Sequence, residues 1–234
     1  MPKLFQSNQD YFIVSDNINN YKFVNNKSIA NHIRSRATRL FTKEPETIEW
    51  IKSFKENSVF FDIGANIGIY TIYGAVSKNI STYSFEPHAA NYKNLIENIN
   101  ANNLKKSYAY PLAVGEKFNL SSMFVKNMIE GVADNVVDNV GDIYHGVVTV
   151  NLDQLIADKM LPQPDYIKID VDGYENKVFR GCVNTIKNCK SLLIEIDMKH
   201  ISLKEQIQQL GLTLISEHVR NESEKNYIFD SSRR

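Results

Sequence analysis

The sequence predicts a doubly wound α/β fold, a mainly parallel sheet with helices on both faces. Short apolar runs alternate with stretches whose apolar residues recur at helical spacing, from about residue 44 to the end of the chain. The first run ends in a glycine-rich turn, Gly64-Ala65-Asn66-Ile67-Gly68, and later runs end in acidic residues. Alternating strands and helices pack as parallel neighbours with right-handed crossovers, which puts helices on both faces. In such sheets ligands bind at the carboxyl ends of the strands, near the switch in strand order.

Each element follows from local pattern. Ile48, Ile51 and Phe54 recur at helical spacing, with Pro45 tolerated in the first turn. Residues 59–63 are an apolar run and read as a buried strand. Ile67, Tyr70, Thr71 and Gly74 fit one face of the next helix. Residues 81–85 are a strand, and Tyr92, Leu95, Ile96 and Ile99 mark an amphipathic helix. Residues 108–114 read as one strand. Residues 116–150 break the rhythm and read as an insertion: a hairpin of 118–125 and 147–152, with a mobile, lid-like loop between. Residues 166–171 resume as a strand, and Val178, Phe179, Cys182 and Ile186 mark one helix. Residues 192–196 are a strand. Ser202 and Glu205 form a capping-box pattern opening a short helix that Gly211 stops. Residues 212–215 and 227–229 close the chain as two strands.

Bulk properties set limits on function. The 234 residues suffice for one core, residues 44–234, with residues 1–43 as a small N-terminal lobe or cap. Hydrophobic residues make up 43% and charged residues 23%, values of a soluble globular protein. Lys+Arg and Asp+Glu both total 27, which argues against a broad electrostatic grip on nucleic acid. The N-terminus lacks the basic-then-apolar pattern of a signal peptide, and no run of about 18 apolar residues predicts a membrane span. We therefore expect a cytoplasmic monomer or homodimer. Cys182 and Cys189 fall in the one helix expected there. Their separation of roughly 10 Å along it is too long for a disulfide, so both read as buried small hydrophobes.

Three clusters carry the chemistry. In the first, Asp62 precedes the Gly64–Gly68 turn. Glycine lets the backbone approach a ligand closely, and the helix that follows offers unpaired N–H groups to an anion. The Asp can accept from an ammonium, so the pair suits an amino-acid moiety. The dinucleotide pattern G-x-G-x-x-G and the P-loop are both absent. In the second cluster, Glu86-Pro87 follows Asp62 by 24 residues, close to the ~20 expected for an acid that reads ribose hydroxyls. His88 beside it is a candidate for the adenosine pocket. For a ligand with an amino-acid end and a ribose, S-adenosylmethionine is the obvious candidate. In the third cluster, Asp170 and Asp172 end a strand that should be central, and share a face if the strand extends that far. One carboxylate can act as general base, and a pair can hold a divalent cation. Lys168 reads as a partner for a carboxylate. The histidines, at 32, 88, 145, 200 and 218, show no metal spacing; His145, in the insertion, is the outside candidate for a base.

Several segments occur in an order that resembles the FkbM family of methyltransferases. They are FFDIGANIGIYT (60–71), YSFEPHAANYKNLIENIN (83–100), YPLAVG (110–115), VTVNLDQLI (148–156), YIKIDVDGYENKVFRGC (166–182) and LLIEI (192–196), with TKEPETIEWI (42–51) as lead-in. The resemblance covers roughly residues 42–230; residues 1–41 match nothing comparable. It implies a class I methyltransferase fold, Rossmann-like, with a seven-stranded sheet whose last strand is antiparallel. It implies S-adenosylmethionine as cofactor and O-methylation of a hydroxyl on a sugar, polysaccharide, lipid or similar acceptor. By position, Asp62, Gly64, Asn66 and Gly68 would hold the methionine part, Glu86 and Pro87 the ribose, and Ala113 the adenine. Asp170 would stand at the reaction centre. The family reads IDVEG where this chain has Asp172, which keeps the charge and shortens its reach by one methylene.

Two alternatives share parts of this pattern. An NAD-linked dehydrogenase has the same sheet but needs the missing glycine fingerprint. A non-catalytic module that binds S-adenosylmethionine or a glycan would keep Asp62 and Glu86 without transferring anything.

Overall fold

A computed structural model of the chain describes residues 3–7, 10–25, 30–124, 136–137 and 144–231. Strands β1 (Lys3–Ser7), β2 (Tyr11–Ser15) and β3 (Asn20–Val24) form an antiparallel meander. Alternation across β2 and β3 turns Phe12, Val14, Tyr21 and Phe23 to one buried face. Helices α1 (Ala30–Thr38) and α2 (Pro45–Lys52) follow. Then come β4 (Val59–Ile63), α3 (Ile69–Lys78), β5 (Ser81–Phe85), α4 (Ala89–Ala101) and β6 (Ser107–Tyr110). The meander shares one hydrophobic cluster with these helices, through Ile33, Trp50, Tyr73 and Leu95. Its outer edge is also tied down. Asn98 Oδ1 of α4 accepts from Val24 N at 2.7 Å, and Asn102, at the C-cap of α4, accepts from Lys22 N at 2.9 Å. An edge strand whose backbone groups are bonded this way has no open template for pairing.

The run at 108–114, expected as one strand, is two. Pro111 lacks the N–H a ladder needs, so β6 stops at Tyr110 and β7 (Ala113–Val114) joins another sheet. That second sheet joins β7 to strands from the stretch expected as an insertion. β8 (Asn119–Phe124) pairs antiparallel with β10 (Tyr144–Val150), β9 (Val136–Val137) adds to β8, and β7 lies parallel to β10. The loop expected to be mobile falls largely on 125–135 and 138–143, outside the described residues.

The chain then returns through α5 (Leu152–Ala157), β11 (Tyr166–Ile169), α6 (Glu175–Arg180), α7 (Val183–Lys187) and β12 (Ser191–Asp197). It ends in α8 (Ser202–Gln209), β13 (Leu212–Val219) and β14 (Glu224–Ser231). Two expectations are corrected here. The single helix around the cysteines is broken at Gly181, where a Cβ would lie 1.9 Å from the Gly115 carbonyl oxygen. Close approach of the backbones thus requires glycine where the helix is interrupted; both cysteines are free and buried. No capping box forms at Ser202. A 3₁₀ turn, Met198–His200, leads Ile201 into helical φ/ψ, so Ser202 is already inside the helix without a side-chain cap. Gly211 does follow the helix in the left-handed region, with φ +91°.

The central sheet has seven strands in the order β13-β14-β12-β11-β4-β5-β6. Only β14, the last in sequence, runs antiparallel to its neighbours. This is the class I methyltransferase topology. From β4 the chain steps outward to β5 and β6, then returns to β11 on β4's other side. The switch in strand order therefore lies between β4 and β11, and their carboxyl ends form the crevice. Alternation sorts the two faces. Phe61, Ile63, Ile167 and Ile169 point toward α6 and α8, and Phe60 and Tyr166 toward α2 and α3.

Candidate active site

The β4–α3 turn is shaped by its backbone. Gly64 has φ +81°, and a Cβ there would lie 1.9 Å from the Asp170 carbonyl oxygen. Only glycine lets this turn nest against the end of β11. Asn66 is also left-handed, with φ 52°. Gly68 serves packing instead: its added Cβ would meet Leu95 of α4 at 2.4 Å.

Glu86, just past β5, joins two turns. One carboxylate oxygen accepts from Asn66 N at 2.7 Å, the other from His88 N at 2.8 Å. Burial pushes the carboxyl up to about 7, against the pull of those two N–H groups. Each oxygen keeps acceptor capacity, and the residue lines a cavity of about 300 Å³ over the strand ends.

Strand order spreads the lining of that cavity across the sheet, from β5 and β6 at one end to β12 and β14 at the other. Glu86, Pro87, Phe85, Leu112, Ala113 and Met123 make one end largely apolar around a carboxylate. Asp170, Glu195, Arg220, Asn221 and Glu224, with Arg36 and Lys43, make the other end polar. At the polar end Lys168 donates to Asp170 at 2.7 Å. Burial opposes ionisation of Asp170, but the charge and hydrogen bond of Lys168 outweigh it and hold the carboxyl at about 2. Arg220 spans 176 residues of sequence to donate to Glu44 at 2.9 Å, and lies 3.4 Å from Glu195. Burial, then the charge of Asp170, pushes Glu195 up to about 8 despite Lys168 nearby.

Of the residues the sequence singles out, Gly64, Asn66, Glu86, Pro87, Ala113, Asp170 and Asp172 line this cavity, and Asp62, Gly68, His88 and His145 do not. Asp62 pairs in register with Lys168 on the face under α3, where its carboxylate accepts from Thr71 Oγ1 at 2.6 Å. His88 is fully buried and caps α4, its Nδ1 accepting from Asn91 N at 3.3 Å. His145 packs its ring on His88, 5.8 Å between centroids. Asp170 and Asp172 do not share a strand face. β11 ends at Ile169, and Asp172 and Gly173 turn with φ 47° and 90°. Arg36, Lys43, Glu195, Arg220, Asn221 and Glu224 were not read as site residues from the sequence. Glu195 left one signal, a lone acid inside the apolar run LLIEI. The others are gathered by long-range packing, which local pattern does not encode. Among the described residues no group of His, Cys, Asp and Glu side chains is arranged to hold a metal ion, and no helix is long and apolar enough to cross a membrane.

Residues 62–229 match the Methyltransferase FkbM domain. The chain belongs to the FkbM methyltransferase family. Its cofactor is S-adenosylmethionine, and this FkbM chain has groups that fit it. A buried carboxylate with spare acceptor capacity, Glu86, sits beside apolar Ala113 and Leu112, and the Gly64–Asn66 backbone opens toward the same cavity. When bound, the cofactor supplies an electrophilic methyl group on a sulfonium.

Hexuronic acid methyltransferase AglP of Haloferax volcanii is 24% identical over 147 residues, 62% of this chain and 59% of that relative. The chain thus matches less than two thirds of that protein's length. Trm5b from Pyrococcus abyssi superposes with TM-score 0.52 at 15% identity, covering 96% of this chain and 56% of the other. Streptococcus pneumoniae Sp1610, in complex with S-adenosyl-L-methionine, gives 0.51 at 13% identity over 81% of this chain and 73% of the other. These likenesses establish the fold.

Proposed function

We propose that the protein transfers the methyl group of S-adenosylmethionine to a hydroxyl oxygen of a sugar or sugar-containing acceptor. The observation that carries this reading is the two-ended cavity. Its Glu86 end suits ribose and adenine, with Glu86 accepting from ribose hydroxyls and Ala113 against the base. Gly64 and Asn66 border the methionine part between the two ends. The far end, with Glu195, Arg220, Asn221 and Glu224, offers hydrogen-bond acceptors and donors in the mix a polyhydroxyl acceptor requires. A relative named for methylating hexuronic acid supports a sugar acceptor.

In this reading residues 1–43 act as a cap whose α1 brings Arg36 to the polar end of the cavity. The chain's part in the reaction is chiefly positioning. It must hold the acceptor oxygen within ~3–3.5 Å of the methyl carbon, opposite the sulfur, and exclude water. Two buried free cysteines fit a reducing compartment, the cytoplasm.

The test is methyl transfer from radiolabelled S-adenosylmethionine to glucuronic acid, galacturonic acid, glucose and their methyl glycosides. Label in the ether fraction of at least one supports the reading. Label on none of them, in a protein that binds S-adenosylhomocysteine, removes the sugar acceptor.

A further inference from the structure

We propose that Glu195 is the general base of the reaction, its carboxylate taking the proton of the acceptor hydroxyl at the polar end of the cavity. This rests on the hydroxyl-methylation reading above.

Position is the first ground. The last register pair between β11 and β12 is Ile169 with Ile194. Asp170 and Glu195 are the next residues on these adjacent parallel strands, at the strand ends where the crevice lies, and both line the cavity.

The second ground is what already occupies each neighbouring carboxylate. Asp170 is engaged by Lys168 at 2.7 Å. Asp172 lies beyond the turn, where its charge acts on Glu86 at the cofactor end. Glu224 accepts from Asn221 Nδ2. Among the described residues the side chain of Glu195 has one hydrogen bond, the long 3.4 Å contact from Arg220, whose closer bonds, both 2.9 Å, go to Glu44 and the Lys43 carbonyl. Arg220 is therefore anchored without Glu195, and the Glu195 side chain, 14% exposed, keeps an approach from the cavity.

Proton affinity follows from the surroundings. Asp170 and Lys168 face Glu195 from β11, Glu44 from the segment before α2, Arg220 from beyond β13 and Glu224 from β14. Burial and the acidic neighbours leave Glu195 near 8, while Lys168 leaves Asp170 near 2. A base whose proton affinity lies near the working pH takes a hydroxyl proton far more effectively than one held near 2. In the step, a lone pair of the acceptor oxygen forms the carbon–oxygen bond as the carbon–sulfur bond breaks. The released pair stays on sulfur as a neutral thioether, and the hydroxyl proton moves to Glu195, which returns it to solvent after the product leaves.

Glu195→Gln and Glu195→Asp are compared with wild type in the full chain. Calorimetry gives the Kd for S-adenosylhomocysteine, transfer to the sugars named above gives kcat against pH, and 13C NMR follows carboxyls labelled at glutamate Cδ. We expect Glu195→Gln to keep that Kd within about threefold and to lower kcat about 100-fold or more. The wild-type pH–rate profile should rise through about 8, and Glu195→Gln should lose that rise. Glu195→Asp, which keeps the charge, should fall between the two. Without any acceptor, one carboxyl resonance titrating near pH 8 should be present in wild type and absent in Glu195→Gln. A Glu195→Gln enzyme within threefold of wild-type kcat overturns the assignment, as does a Glu195 resonance that titrates below pH 6. Equal losses in both variants together with broadened melting also overturn it, by showing a structural role. A wild type that methylates no hydroxyl acceptor overturns instead the reading on which it rests.

Discussion

Lys168 Nζ donates to Asp170 across 2.7 Å at the end of β11, with the lysine side chain 2% exposed. The ammonium also lies 5.0 Å from the Tyr70 ring centroid and beside Asp62 and Glu44. One buried cation thus neutralises a group of acids beneath the cavity. Lys168→Met keeps the stem and removes the charge. We predict a loss of about 3 kcal/mol in urea unfolding, because Asp170 and Asp62 lose their cation, while Glu44 keeps Arg220 and Lys43. The acid side has a definite sign. Asp170 is held below its usual value, so the pair stabilises the fold above about pH 4. That contribution is lost as pH falls toward 2.

After burial, the charge of Asp170 also raises the proton affinity of Glu195. Asp170→Asn removes a negative charge facing it, so the Glu195 pKa should fall from about 8. The expected result is a pH–rate inflection moved to lower pH; an inflection that stays in place would show that the two carboxyls do not interact.

Glu86 gives a pH dependence to cofactor binding. In the proposed reading ribose hydroxyls donate to the ionised carboxylate, and burial raises that carboxyl to about 7. Affinity for S-adenosylhomocysteine should therefore rise with pH through 7 and level off above it. Because the folded-state value is raised, Glu86 favours folding most below about 4.5, and that contribution is lost as pH rises through 7. Glu86→Ala should weaken binding by roughly 1–3 kcal/mol and flatten the profile. Calorimetry from pH 5.5 to 8.5 measures both.

Gly64→Ala places a Cβ 1.9 Å from the Asp170 carbonyl oxygen at φ +81°. Backbone cannot yield there as a side chain can. We predict destabilisation of about 1–3 kcal/mol, seen as a lower Tm, together with loss of cofactor binding as the turn moves off β11. Equal Tm and affinity would show that the turn has room the geometry denies.

Asn98 ties α4 both to β3 and to the turn, accepting from Val24 N and donating to the Ile67 carbonyl, each at 2.7 Å. Asn98→Ala should raise hydrogen exchange at Val24 and cost about 1–3 kcal/mol, since buried backbone groups lose their partners. Unchanged exchange would mean that β3 is held by its apolar face alone.

The parallel core was legible because each strand–helix step has its own periodicity, from the run at 59–63 to the helix face of Leu95 and Ile99. Elements were misjudged where one backbone approaches another. Gly181 breaks a helix against Gly115, and Pro111 divides a strand, for reasons set by tertiary contact rather than by local pattern. The Glu86 end of the site could be read because its acids stand immediately after strands. Asp62 drew attention by preceding the glycine turn; it pairs in register with Lys168 under α3 and is not among the residues that line the cavity. The polar end joins Arg36 and Lys43 to Glu195 and Arg220 from three distant segments, and no spacing in the sequence announces it.

The measurement closest to the central claim is transfer of a 13C-labelled methyl group from S-adenosylmethionine to a hexuronic acid, with the product resolved by two-dimensional NMR. We predict that the label appears as a methyl ether on a ring hydroxyl carbon and that an equal amount of S-adenosylhomocysteine forms. Label found on nitrogen, on carbon or as a carboxyl ester, or a protein that binds NAD and fails to bind S-adenosylhomocysteine, would contradict it.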